Sequence, residues 1–298
     1  MAIDVVWFKR DLRTRDHVPL LSAILSGRPV LCLFILEPER FEQEDTDAIH
    51  VDWELDCALD MSNTLRKSGS SLHIRIGNAI EVLENLDNEY GIKRILSHEE
   101  TGNSWSYGRD KKVLQWCQEK EINWIEYPNN GVIRRLKNRD QWKAERDSRM
   151  RIPLNETPMF SKSIMFEGEY PSINDLSLTP RPLICRPEPG EDAALRRLHL
   201  FLDQDSKKYS WSISSPTLST KHGSVLSPYL TTGVLSIRRV VQETNSKIKY
   251  LRKNKSPLDS HSEWIQSLSS FRQRLAWRCH FIQKLEMESN LDLVAQNP

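Results

Sequence analysis

The segment Gly223-Ser224-Val225-Leu226-Ser227-Pro228-Tyr229-Leu230 is where residue type and spacing point most directly to chemistry. Ser227 is placed to cap a helix whose first position is Pro228, a pairing that favours a helix start. Backbone N–H groups and the hydroxyls of Ser224 and Ser227 then converge at the positive end of that helix. Such an arrangement holds a phosphate or pyrophosphate. The same spacing also describes an ordinary capped helix with no ligand.

A second group lies further on, where Arg274, Trp277, Arg278 and His280 interrupt an apolar stripe. A broad aromatic beside forked donors suits a planar ring or an unstacked base. Equally, Trp277 can be core and the arginines a solvated face. His280 reads as a hydrogen-bonded, partly buried imidazole rather than a catalytic base. Asp52, Glu54 and Asp56, and the run His98-Glu99-Glu100, are acidic clusters to which no catalysis is assigned. There is no GxSxG elbow and no HExxH or paired Cys/His motif. Five cysteines (Cys32, Cys57, Cys117, Cys185, Cys279) lack CxxC spacing and read as reduced thiols.

These residues need a scaffold. Short β-rich runs at Ile3–Phe8, Val30–Leu36, Leu72–Ile76, Arg94–His98 and Ile122–Tyr127 alternate with helical stretches over Val18–Leu25, Thr46–Lys67, Ala79–Glu89 and Tyr107–Glu119. This alternation predicts a doubly wound parallel sheet over residues 1–130. The loops Lys9–Asp16, Glu37–Asp45 and Glu99–Ser106 line the carboxyl ends of its strands, where such sheets bind ligands. No GxGxxG follows the first strand, which argues against a classical dehydrogenase.

From Gly131 the chain turns basic, and seven prolines then fall between Pro153 and Pro189, predicting a connector over 131–190. Met159, Phe160, Ile164, Phe166 and Tyr170 are available to pin it to a domain surface. A helical domain is expected over 191–298. Its first helix carries Leu195, Leu198, Phe201 and Leu202; its last opens with a capping box at Ser260–Glu263 and carries Trp264, Leu268, Phe271, Leu275, Ile282 and Leu285. Few partners are present for those faces, so this domain reads as incomplete. No run approaches the ~18 apolar residues of a membrane span, and an intracellular, cytoplasmic protein is expected. The net charge of +1 by itself announces no nucleic-acid binder.

Three motifs resemble those of the DNA photolyase/cryptochrome family, in the family's order. Val6-Trp7-Phe8-Lys9-Arg10-Asp11-Leu12-Arg13-Thr14-Arg15-Asp16-His17 is similar to its opening V-W-F-R-R-D-L-R-x-x-D-N. Ser224–Leu230, continuing through Arg238, is similar to S-x-L-S-P-Y-L-x-x-G-x-I-S-x-R, and Phe271–Arg278 to F-x-x-x-L-x-W-R. The resemblance implies a Rossmann-like α/β antenna domain followed by a helical domain that holds FAD, and repair of pyrimidine dimers in damaged DNA by electron transfer from light-excited reduced flavin, or cryptochrome-type signalling. It implies FAD contacts from Tyr209, Gly223, Ser224, Val225, Leu226, Ser227, Arg274 and Trp277. Trp277 also stands as the catalytic aromatic facing the lesion, with His280 beside it on the DNA side. Gly223 replaces a hydroxyl residue of the phosphate motif, Ile213 stands where many photolyases have a DNA-contacting arginine, and Ser106 where some have a folate-binding glutamate. The antenna chromophore is left unassigned. Relative to the family the chain stops early, so weak or absent flavin binding and no repair are expected of these 298 residues alone.

Overall fold

Five strands and twelve α-helices are described in the computed structural model, which covers residues 2–129, 131–183, 186–254, 261–288, 291, 293 and 294. Cys185 and Ser260 lie outside the described residues. The residues cluster into two compact units, one of Met1–Asn129, Asn155–Gly190 and Glu288–Pro298, the other of Asn130–Leu154 and Glu191–Met287.

In the first unit the order is β1 (Ile3–Phe8), α1 (Val18–Leu25), β2 (Val30–Leu36), α2 (Pro38–Phe41), α3 (Ala48–Lys67), β3 (Leu72–Ile76), α4 (Ala79–Tyr90), β4 (Ile92–His98), α5 (Ser104–Glu119) and β5 (Asn123–Tyr127). The strands form one parallel sheet in the order β3-β2-β1-β4-β5. β1 and β2 are buried at every residue. A parallel sheet covered on both faces calls for such strands: β2 is apolar throughout, and β1 is apolar except for the buried Asp4, whose carboxylate pairs with Arg94 and accepts from the Ser26 hydroxyl. The α/β class expected from the alternation is therefore the observed one.

Each long helix of this unit starts at an extended residue whose side chain accepts a first-turn N–H: His17 for α1, Asp47 for α3, Asn78 for α4 and Asn103 for α5. Such caps satisfy donors that the helix itself cannot. The Asn103 cap moves the start of α5 three residues ahead of the expected Tyr107. The predicted connector is divided. Residues 130–154 cluster with the helical unit, and residues 155–190 with the sheet. The second part is held because Val30 exchanges backbone hydrogen bonds with Lys162 and Ile164, at 3.2 and 2.9 Å, and Phe160 N–H reaches Ser68 O at 3.0 Å. Phe166 packs on His73 and stacks on Tyr170, whereas Met159 stays exposed.

In the second unit come α6 (Trp142–Arg151), α7 (Glu191–Asp203), α8 (Tyr209–Ser212), α9 (Pro216–His222), α10 (Ser227–Thr231), α11 (Ile237–Lys253) and α12 (His261–Met287). Phe201 of α7, Tyr209 of α8 and Phe271 of α12 form an edge-on trio, with ring centroids 4.6 to 5.6 Å apart. Two expected stripes shift. Ala194 takes the buried place expected for Leu195, and Gln283 the one expected for Ile282. The Gln283 amide accepts from Ile133 N–H at 2.7 Å and donates to Ile133 O at 3.0 Å, so a polar side chain is fully satisfied inside.

The polar cluster behind β1 and β4 is equally satisfied. Asp11 Oδ1 accepts the Lys9 N–H at 2.7 Å, and Oδ2 meets His17 Nε2 at 2.9 Å and His98 Nδ1 at 2.7 Å. The His17 Nδ1 accepts Leu20 N–H, which leaves its proton on Nε2 for Asp11. Burial alone raises the Asp11 carboxyl, but hydrogen bonds from His17 and His98 outweigh it and hold Asp11 well below its ordinary value. Burial dominates the two imidazoles, lowering His17 and taking His98 down to about 3.

Unfolded, both histidines take up protons near pH 6.5; folded, they resist. The unfolded state thus binds more protons between that pH and the depressed folded values, and stability falls as pH falls through the window. Urea unfolding of the chain should show a stability loss approaching about 1.4 kcal/mol per pH unit for each histidine as pH drops below ~6. A flat profile from pH 7 to 5 would show that the cluster is not buried as described.

Candidate functional site

The loop between α9 and α10 is built from two constrained residues. Gly223 closes α9 by donating its N–H to Ser219 O at 2.8 Å, and a Cβ placed on it would lie 2.4 Å from that same carbonyl oxygen. A hydroxyl residue therefore cannot occupy this position without moving the turn. Val225 adopts a left-handed backbone with φ of 53°. For a β-branched residue this is a real outlier that the surroundings must impose.

Leu226, next in line, is right-handed, with φ −93° and ψ −5°. A left-handed residue followed by a right-handed one turns successive N–H groups, here those of Val225, Leu226 and Ser227, toward one concavity. Such nests hold anions.

The helix begins one residue earlier than a Ser227 cap would place it. Leu230 N–H bonds Leu226 O at 3.0 Å, so α10 starts at Ser227 with Leu226 in the cap position, and no side chain caps it. Ser227 is exposed and its hydroxyl is not used as a cap. α10 has five residues and aligns few peptide dipoles, so the anion-holding power lies in the nest more than in a helix dipole. The Leu226 side chain is buried, leaving its backbone as the part that can meet a ligand.

Behind the loop stands a group that sequence reasoning missed. Arg197 of α7 donates from Nε to Ser224 O at 2.9 Å and from Nη2 to Gly223 O at 3.2 Å, and Nη2 also pairs with Asp205. Nothing in the local pattern of Arg196-Arg197 marks the second as the clamp; only the tertiary position of α7 singles it out.

The other expected residues line α8 and α12. Tyr209 is buried against Phe201 and Phe271, where burial raises its phenol while the nearby Arg274 opposes the rise. Arg274 lies over the Trp277 ring at 4.6 Å, and Trp277 is 44% exposed, so its ring is neither core nor fully solvated. Arg278 is bound to the second unit itself: Nη2 donates to Leu230 O at 2.7 Å, tying α12 to α10. Its burial pulls the guanidinium below its ordinary value.

His280 meets an Arg139 guanidinium nitrogen through Nε2 at 2.9 Å and packs edge-on to Trp142. Burial, Arg139 and Lys284 all lower its pKa. It is a neutral acceptor occupied within its own unit, which limits it as a contact to DNA phosphate.

The acidic clusters are structural. Arg186 bridges Asp52 and Asp56 at 2.9 and 2.8 Å, while Glu54 pairs with Arg40. At the carboxyl ends of the strands, Arg109 is held by Glu37, Glu100 and Asp110 at 2.5 to 2.9 Å, and Lys9 lies 3.0 Å from Asp110 and 3.6 Å from Glu126. These pairs fill the crevice beside β1 and β4 where the strand order reverses. A cavity of about 250 Å³ remains beside them, lined in part by Glu39, Asn78, Trp105, Arg109 and Lys112. Cys32, Cys57 and Cys117 are buried thiols pushed up to about 12 and unreactive at neutral pH. Among the described residues no helix is long and apolar enough to cross a membrane.

FAD, the group implied by the sequence motifs, fits this donor set. The nest offers uncapped backbone N–H groups and two serine hydroxyls to a pyrophosphate, and the Arg274–Trp277 pair offers a partly exposed aromatic surface.

Residues 4–141 match the family model for DNA photolyase. Cryptochrome DASH, chloroplastic/mitochondrial, of Arabidopsis thaliana is 24% identical over 273 residues, covering 81% of this chain and 47% of the relative. The deoxyribodipyrimidine photo-lyase of Agrobacterium fabrum is 25% identical over 298 residues, with 92% and 57% covered. The chain thus spans about half the length of the curated relatives it matches. A crystal structure of a bacterial class III photolyase from Agrobacterium tumefaciens shares the fold, with a TM-score of 0.78 at 21% identity over all of this chain and 61% of that one. The α/β part thus matches the DNA photolyase family model, and with relatives of both kinds running into the helical part and three motifs in the family's order, the chain is similar to the DNA photolyase/cryptochrome family along its length.

Proposed function

We propose that this chain carries the α/β domain and the flavin-phosphate part of the helical domain of a blue-light-dependent, FAD-binding protein that repairs pyrimidine dimers in DNA. The observation that carries this reading is the nest at Val225 and Leu226, in the segment whose sequence is similar to the family's phosphate motif. On this reading residues 1–130 are the antenna-type domain, 131–190 lead to the helical domain, and 191–298 are its first part.

When bound, reduced FAD supplies the light-driven electron that splits the dimer. The chain's own residues bind and orient. Val225, Leu226 and Ser227 N–H groups meet the pyrophosphate, with Ser224 and Ser227 hydroxyls as further donors. Tyr209, packed on Phe271, supports the floor of the site, and Arg274 steadies the Trp277 ring. Trp277 is left exposed enough to stack on an extruded base, a contact of the kind used by proteins that take a lesion out of the duplex.

A photoreceptor without repair is the second reading. It is favoured by the occupation of His280 by Arg139 and by Ile213 at a position where a cationic phosphate contact is expected of a repair enzyme.

Two measurements test this. Calorimetric titration of the 298-residue chain should show weak binding of FAD and of ADP, with riboflavin bound less well, because the phosphates carry the contact. Val225→Gly, which suits a left-handed residue, should keep that binding. Val225→Pro, which fixes φ near −65° and removes the N–H, should abolish it. Equal affinity of the proline variant for FAD would contradict the nest. In gel-shift competition, UV-irradiated duplex should bind better than undamaged duplex, and Trp277→Ala should erase the preference at a loss of about 1–3 kcal/mol. No preference in the wild-type chain would favour the receptor.

A further inference from the structure

A peptide group that offers its N–H to an anion has its carbonyl pointing the other way, since the peptide is planar and trans. The carbonyls of Gly223 and Ser224 are both taken by the one guanidinium of Arg197, at 3.2 and 2.9 Å. No peptide bond of the described chain is cis. The N–H groups of the same two peptides, those of Ser224 and Val225, are therefore aimed away from Arg197. Val225 N–H is also the first donor of the nest.

We infer that Arg197 is the positioning residue of the flavin-phosphate nest, acting through the two carbonyls it holds and not by touching the ligand. This rests on the flavin reading above and extends it to a residue that lies some 27 positions upstream of the loop it orients.

Three features fit this role better than a plain surface pair. First, the guanidinium uses Nε and Nη2, two donors in fixed geometry, so it sets the relative tilt of two consecutive peptides, which a point charge cannot do. Second, Asp205 pairs with the same Nη2 and fixes the rotamer; Arg197 and Asp205 side chains are each about three-quarters or more covered, at 22% and 23% exposure. Third, Val225 is left-handed without being glycine, a conformation that costs about 1–3 kcal/mol and persists only when neighbours impose it. Arg197 is the neighbour seen to hold the preceding peptide. α7 is itself anchored by Leu198, Phe201 and Leu202 in the core of its unit, so the clamp stands on a rigid element.

The inference separates Arg197 from an ordinary structural residue by ligand class. In Arg197→Met both carbonyls lose their donor, and the affinity for FAD and for ADP should fall tenfold or more, while the affinity for riboflavin, which has no phosphate, stays unchanged. Arg197→Lys, with a single ammonium in place of the fork, should recover only part of the loss. Backbone amide resonances of Ser224 and Val225 should shift in Arg197→Met more than those of the α11 core, such as Val240 and Val241. A general loss of structure would move all of these together, and that outcome would overturn the inference. So would an Arg197→Met chain that binds ADP as tightly as wild type with unmoved Ser224 and Val225 amides. A wild-type chain that binds neither FAD nor ADP would instead overturn the flavin reading itself, which is a distinct result.

Discussion

Every buried backbone N–H and C=O has to find a partner, and this obligation shapes both units of the chain. In the first unit the parallel ladder meets most of it, and cap side chains at His17, Asp47, Asn78 and Asn103 meet the rest. Among its described residues the second unit has no sheet, and several short helices are joined by irregular backbone. There, long side chains on the long helices take the place of a ladder. Gln283 serves both polar groups of Ile133, Arg278 serves Leu230, and Arg197 serves Gly223 and Ser224. At the last of these, satisfying the carbonyls and orienting the amides are the same act.

This arrangement explains why a non-glycine residue can be left-handed at Val225 and why glycine stands at 223. The turn out of α9 is too tight for a Cβ against Ser219 O. The loss of a hydroxyl at Gly223, relative to the family motif, therefore goes with a closer turn and leaves the backbone donors of the loop in place. The site is built from main chain and held by side chains. Substitutions that keep the backbone path should be tolerated, whereas those that free it should not.

Much of the first unit was legible because its signal is local. Strands such as VLCLFIL are apolar throughout, and breaks fall at residues with known turn or cap preferences. Three of the five strand ranges coincide with the apolar runs, and the others differ by one or two residues at the start. The phosphate segment was legible as a motif but not as a geometry. The Leu226-to-Leu230 bond shifts the helix by one residue, and the left-handed Val225 has no sequence signature, since such residues are usually glycine or asparagine. Arg197, Gln283 and the Asp11–His17–His98 cluster were hidden for one reason. Each depends on contacts between residues far apart in sequence, 27, 150 and up to 87 positions, which no window pattern contains.

Flavin binding by this chain depends on the nest at Val225–Ser227 receiving the pyrophosphate of FAD. The most direct measurement is a crystal structure of the chain grown with ADP or FAD. A diphosphate is expected within hydrogen-bond distance of the Val225 and Ser227 N–H groups, with Arg197 still on the Gly223 and Ser224 carbonyls. A diphosphate seated elsewhere, or a loop whose Val225 has left the left-handed region in the complex, would contradict it.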